Sequence, residues 1–131
     1  MTLVFVYGTL KKGGGLHGAL SHAEFVGTAI LHGFALYNLG WFPGIVPDAD
    51  GRTHGEVYRV DDATLATLDR IEGTPSLYRR EEVSVTVGNA TVASLSPQGP
   101  ALVETYIYNG TVPFEDDEIV SGRWPVDGGE G

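Results

Sequence analysis

The sequence predicts a compact α/β sheet or barrel of the mixed α+β kind, and three observations predict it. Many short segments carry continuous or alternating apolar patterns suited to strands, whereas two carry helical spacing. No repeat, low-complexity linker or composition break divides the 131 residues, so a single domain spanning 1–131 is expected, long enough to bury a core without staples. Nineteen glycines are about twice the usual share of roughly 7%, which implies many turns and close backbone approaches.

The elements follow in chain order. Thr2 to Val6 is a short, continuously apolar stretch and predicts a buried strand. Leu16, Leu20 and Ala23 share one side of a short helix over Leu16 to Ala23. Glu24 to Leu31 and Gly33 to Leu39 read as two strands, interrupted at Gly27 and Gly33. The stretch "GWFPGIVPDADG" reads as a turn-rich loop, because its two prolines exclude a central strand. His54 to Val60, "HGEVYRV", alternates like a strand. Asp61 to Glu72 is the clearest helix, with Asp61 as its N-cap and Gly73 with Pro75 as its stop. Val83, Val85 and Val87 alternate, and Gly88-Asn89 suits a hairpin turn into a strand over Ala90 to Leu95. "SPQGPA" is a loop, and Leu102 to Tyr108 is a last strand. From Pro113 onward the chain is acidic, with a flexible tail expected from about residue 125.

Bulk chemistry removes several function classes. Eight Lys and Arg against seventeen Asp and Glu give a formal charge of −9, which repels phosphate backbones, so no nucleic-acid partner is expected. Without cysteine there is no disulfide framework and no thiolate chemistry. The opening apolar run is too short for a signal peptide, and no stretch approaches a membrane span. These features predict a soluble cytoplasmic domain with no membrane partner. His17, His22, His32 and His54 lack metal-ligand spacing and read as surface or hydrogen-bonded structural residues. Lys11 and Lys12 read as exposed solubilising charges.

One helical residue is out of place. Leu65, Leu68 and Ile71 form a narrow apolar stripe, and Glu72, four residues after Leu68, falls inside it. A carboxylate facing a core is costly unless hydrogen-bonded or neutralised, and the carbonyl end of a helix disfavours negative charge as well. Both effects raise a carboxyl pKa toward neutrality, as a general acid/base requires. The alternative is that the helix frays before Gly73 and Glu72 swings into solvent.

The segment Tyr7-Gly8-Thr9-Leu10 poses a similar choice. Gly8 directly after a buried strand allows either a plain turn or a close approach of backbone to a ligand. Successive N–H groups at such a turn can form a nest for an anion or a developing oxyanion. "KKGGG" has the spacing of neither a phosphate-binding loop nor a dinucleotide fingerprint.

In order and spacing, "VFVYGTLKKG", "HGEVYRVDDATLATLDRIEG" and "LYRR" resemble the gamma-glutamylcyclotransferase-like superfamily. They look closest to the small gamma-glutamylamine cyclotransferase branch and its bacterial relatives. The similarity runs from Leu3 to about Arg80, with "LYNLGWFPGIV" matching bacterial members, and resumes at "ETYIYN" and "IVSGRW". The resemblance implies a mixed β-barrel or sheet with short helices around one cavity. It implies that Tyr7, Gly8, Thr9 and Leu10 line that cavity and bind a glutamyl group through backbone atoms. It also implies that Glu72 is the catalytic glutamate, the residue already singled out by the helical stripe. A tyrosine is common where Tyr78 stands; it either closes over substrate or packs on the barrel. Tyr106 or Tyr108 either lines the cavity or is a core aromatic, and Trp41 and Phe42 are candidates for its rim.

The implied reaction is cyclisation of a small gamma-glutamyl amine or gamma-glutamyl amino acid to 5-oxoproline with release of the free amine. It needs neither metal nor cofactor. Two alternatives stay open. One bacterial subgroup matches "LYNLG", "PGIVP" and "HGEVYR" but lacks the glutamate, which suggests a catalytically weak small-molecule binding or interaction module of the same fold. A cyclotransferase that deprotects a carrier-linked intermediate is the other.

Overall fold

A computed structural model describes residues 2–8, 10–11, 17–39, 42–74, 76–87, 101–110 and 118–124. Five strands, β1 (Thr2–Val6), β2 (Glu24–Asn38), β3 (Pro43–Val60), β4 (Tyr78–Val87) and β5 (Ala101–Tyr108), close into a barrel in the order β1-β3-β2-β4-β5. Among the described residues one helix, α1 (Asp62–Ile71), and one 3₁₀ turn (His17–Leu20) lie outside it. This is the mixed architecture expected from the sequence.

The first strand shows why its apolar run is unbroken. β1 pairs antiparallel with β3 through Thr2↔Val60 to Val6↔Glu56, and parallel with β5 at Val4↔Glu104. It is interior, as expected, and both its faces are covered. Phe5 joins the core inside the barrel with Ala29, Leu31, Leu36, Ile45 and Val57. Val4 and Val6 point the other way, into a second cluster with Leu20, Tyr58, Leu68 and Tyr106 beneath α1.

Four expectations are corrected. The helix over Leu16 to Ala23 is one 3₁₀ turn, His17–Leu20, with Leu20 buried; Leu16 lies outside the described residues. The two strands read over Glu24 to Leu39 are a single strand, and the glycines mark irregularities in it. Register shifts fall between Phe25 and Gly27 and between His32 and Phe34, with Gly33 at φ +91°. A positive φ costs a glycine little, so the strand bends there without ending. Much of the Pro-rich stretch read as a loop is strand, since Pro43 to Pro47 pair with Asn38 to Phe34. Pro43 opens β3 and Pro47 borders the bulge opposite Gly33, both beyond the part that β1 covers, and these are positions where a missing N–H breaks no ladder. Finally, Lys11 is not a free surface charge. Its side chain is half-buried and Nζ donates to the Trp124 carbonyl at 2.9 Å.

The hairpin at Gly88-Asn89, the strand over Ala90 to Leu95, the "SPQGPA" loop and the tail from about residue 125 fall outside the described residues. No described helix is long and apolar enough to cross a membrane.

Candidate active site

The site is built around the end of α1. Asp61 caps the start, accepting the Thr64 N–H at 2.7 Å. At the other end Gly73, at φ +68°, ends the helix: its N–H reaches the Arg70 carbonyl at 3.2 Å and the Thr74 N–H reaches Asp69 at 3.0 Å. This paired closure satisfies the last carbonyls and fixes Glu72 as the final residue before the chain turns. Glu72 therefore does not fray away. Of the stripe, Leu68 is buried, whereas Ile71 is 37% exposed and borders the same opening as Glu72.

That opening is a cavity of about 170 Å³ at one mouth of the barrel. Tyr7, Gly8, Leu10, Glu72 and Tyr78 all line it, together with Phe42, Pro43 and Tyr106. The structure thus brings together five of the six residues singled out from the sequence; Thr9, like Trp41, lies outside the described residues. Tyr106, not Tyr108, reaches the cavity, while Tyr108 stacks edge-on against Tyr78 at 5.9 Å. The described lining contains no lysine, arginine or histidine.

An apolar wall with one carboxyl in it has a definite electrostatic result. Among the described residues the Glu72 carboxyl makes no ion pair or hydrogen bond. Burial therefore pushes it up from its ordinary 4.5 to about 7. Burial, with the nearby Glu72 charge as a smaller cause, also raises Tyr7 and Tyr78, so both phenols stay protonated.

Those phenols are already committed to the scaffold. Tyr7 donates to the Tyr106 carbonyl at 2.7 Å, and Tyr78 donates to the Pro43 carbonyl. Tyr78 therefore packs on the barrel, one of the two roles expected for it, and its ring also lines the cavity. Gly8 touches the same proline, because a Cβ there would lie 2.4 Å from Pro43 Cγ. Its φ is not positive, so the glycine is required by contact and not by turn geometry. The turn closes by the Lys11 N–H on the Gly8 carbonyl at 3.0 Å, and His17 Nδ1 lies 2.9 Å from the Leu10 carbonyl. The N–H groups of Gly8 and Leu10 have no hydrogen-bond partner among the described residues.

Sequence reasoning missed Pro43, which meets both Gly8 and Tyr78, and Asp69. In the sequence the prolines read as loop formers; the signal is the glycine facing Pro43, visible only once β3 is folded beside the turn. Asp69 accepts the Tyr106 hydroxyl at 2.7 Å and Arg80 Nε at 2.9 Å, and Arg80 in turn reaches Glu104 at 3.0 Å. These bonds join the last turn of α1 to β4 and β5 behind the cavity.

The order of these parts along the chain is shared with known proteins. The family described as gamma-glutamyl cyclotransferase, AIG2-like, matches residues 4–126. The gamma-glutamylcyclotransferase family protein YtfP of Escherichia coli K12 is 39% identical over 87 residues, covering 66% of this chain and 76% of that one. The gamma-glutamylaminecyclotransferase of Homo sapiens is 31% identical over 128 residues, covering 88% and 83%. The crystal structure of an AIG2-like protein from Mus musculus superposes with a TM-score of 0.74 at 31% identity, covering 86% of this chain and 80% of that one. Since the match runs through the opening turn, the barrel and the end of α1 alike, the chain belongs to the gamma-glutamyl cyclotransferase, AIG2-like family.

Proposed function

We propose that the protein cyclises a small gamma-glutamyl amine or gamma-glutamyl amino acid to 5-oxoproline and releases the free amine, with Glu72 as the proton carrier. The observation that carries this reading is the Glu72 carboxyl, raised to about 7 and without a protein partner, in the cavity walled by Tyr7, Gly8, Leu10 and Tyr78. A group with that proton affinity exchanges protons in both directions near neutral pH.

The substrate brings its own nucleophile. Its α-amino nitrogen lies at five-membered-ring distance from the γ-carbonyl carbon, so folding the glutamyl chain into a compact pocket supplies much of the rate through effective molarity. Glu72 takes a proton from the α-ammonium. The nitrogen attacks the γ-carbonyl, a C–N bond forms, and the carbonyl oxygen becomes an oxyanion. Collapse breaks the bond to the departing amine, which receives one proton from Glu72. The regenerated Glu72 carboxylate takes the second proton shed by the ring nitrogen and passes it on to the amine, so 5-oxoproline leaves with one N–H and the amine leaves as its ammonium. Nothing is oxidised or reduced, and the steps call for no metal or cofactor. Gly8, Thr9 and Leu10 offer N–H groups for the substrate carboxylate or the oxyanion. Tyr7 and Tyr78, their hydrogens spent on backbone carbonyls, act as walls of the pocket and not as acids.

Incubation with a panel of gamma-glutamyl amines and dipeptides, with 5-oxoproline as the readout, tests the reading. Release from at least one simple amine is expected. No turnover of any member, with saturable binding of 5-oxoproline, would instead identify a binding module.

A further inference from the structure

Outside the active-site cavity, four cations among the described residues have no carboxylate partner. Three of them, Lys11, Arg52 and Arg123, gather at one place, while the fourth, Arg70, stands apart on α1. Arg59, Arg79 and Arg80 each have a carboxylate partner. Lys11 and Arg123 have none within ion-pair distance among the described residues, and both line a second, polar pocket of about 280 Å³ against β2 and β3. His54 and Thr28 lie in its wall, and Arg52 and His32 are close enough to act on His54.

The arrangement is held by the fold. The segment 118–124 is fastened to the barrel by the Ile119 N–H on the Leu36 carbonyl and the His54 N–H on the Gly122 carbonyl, both at 2.7 Å. Gly122 takes φ +74°, and a Cβ there would stand 2.5 Å from the Arg52 carbonyl, so only glycine passes this point. Arg123 follows directly and is placed over β3. Lys11 Nζ is fixed by the Trp124 carbonyl at 2.9 Å, which uses one of its three hydrogens.

Such a site carries a cost when empty. Burial lowers Lys11, with the Arg123 charge acting the same way and Glu56 opposing. Burial followed by Arg123, Arg52, Lys11 and His32 lowers His54, which is thereby kept neutral at physiological pH. Glu56 is the one acidic group in the wall and accepts the Tyr58 hydroxyl at 3.0 Å. Its charge offsets one of the two cations, leaving the lining with one net positive charge. A bound anion would restore what Lys11 loses to burial and to the neighbouring Arg123 charge.

We propose that this pocket binds a small oxyanion, a carboxylate or phosphate group, between Lys11 Nζ and the Arg123 guanidinium, with Thr28 and His54 as neutral hydrogen-bonding neighbours. Arg123 offers a planar fork suited to two-oxygen recognition. The site is independent of any role for Glu72.

The test is calorimetric titration and thermal melting of the full chain with inorganic phosphate and, separately, acetate, each against sodium chloride at equal ionic strength. Saturable binding of at least one probe is expected at about 10 mM or below, with a melting temperature raised above the chloride control. The two probes separate a phosphate-bearing from a carboxylate-bearing natural ligand. Arg123→Gln and Lys11→Gln should each weaken binding by about tenfold or more, as loss of a charge-assisted pair does, while Arg70→Gln, exposed on α1, should leave it unchanged. If Lys11→Gln fails to fold, the exposed Arg123 side chain still decides the matter. Equal affinity in Arg123→Gln and wild type would overturn the proposal, and so would the absence of saturable binding of both probes to wild type.

Discussion

Tyr106 donates its hydroxyl to Asp69 at 2.7 Å, which ties β5 to the last turn of α1 just ahead of Glu72. The same phenol ring forms part of the cavity wall, and the Asp69 backbone carbonyl accepts both the N–H and the hydroxyl of Thr74 at the helix end, at 3.0 and 3.1 Å. The position of the Glu72 carboxyl thus depends on groups that face away from it.

Tyr106→Phe tests this link. It keeps the ring and removes one hydrogen bond, leaving Asp69 still paired with Arg80. The expected loss of stability is about 1–2 kcal/mol, a few degrees in melting temperature by calorimetry. Turnover should fall several-fold through kcat with KM little changed, because the cavity wall survives and the helix end loosens. A change in KM alone would show that the phenol contacts substrate directly.

The acid/base role proposed for Glu72 makes a prediction about pH. With the carboxyl at about 7, kcat/KM for 5-oxoproline release should rise with pH through that region, as the base becomes ionised. Glu72→Gln keeps shape while removing proton transfer, and should lower kcat by about 10²–10⁴-fold and abolish this limb of the profile. A folded Glu72→Gln variant within a few-fold of wild type would remove Glu72 from the mechanism.

Gly8→Ala probes the opening turn. The added methyl would press on Pro43, whose carbonyl anchors the Tyr78 hydroxyl, so the disturbance passes from turn to strand to cavity wall. Overpacking of this kind costs about 1–3 kcal/mol. Substrate KM should rise by roughly tenfold or more, since the wall moves while Glu72 does not. Steady-state kinetics beside a melting curve separate the two effects, and wild-type KM would show that the turn yields without affecting the pocket.

How legible all this was in the sequence depends on the range of the interactions involved. The unbroken apolar run of Thr2 to Val6 announced a strand covered on both faces, and the barrel covers it. The stop at Gly73 was legible because a helix end is closed by neighbours in sequence. The site of Glu72 could be suspected from one misplaced carboxylate in a stripe, a local irregularity that a helical wheel exposes. Long-range compensations were not legible. Gly33 reads as a strand breaker until β3 bulges opposite it, and Pro47 reads as a loop residue until that bulge removes its need for an N–H. Lys11 reads as a solvent charge until the chain returns more than a hundred residues later to bring the Trp124 carbonyl to it.

Glu72 also predicts a conflict between function and stability. The carboxyl ionises near its ordinary 4.5 in the unfolded chain and at about 7 in the folded one. Below 4.5 both states hold the proton and the group has no pH-dependent effect. Between 4.5 and about 7 the unfolded chain releases the proton first, so the folded state loses stability as pH rises, and the loss levels off above about 7. With each tenfold change in proton affinity worth about 1.4 kcal/mol, the full penalty is about 3 kcal/mol, a ceiling because the side chain keeps some contact with solvent. Glu72→Gln is neutral at every pH and escapes this penalty. It should therefore match wild type near pH 4 and exceed it near pH 8 by up to about 3 kcal/mol, measured by urea unfolding at both pH values. The stabilised variant would be the inactive one, as expected where an active site holds a group the fold alone would not choose. Equal stability differences at the two pH values would mean that the carboxyl titrates normally, and the assignment of Glu72 as a proton carrier at neutral pH would lose its physical basis.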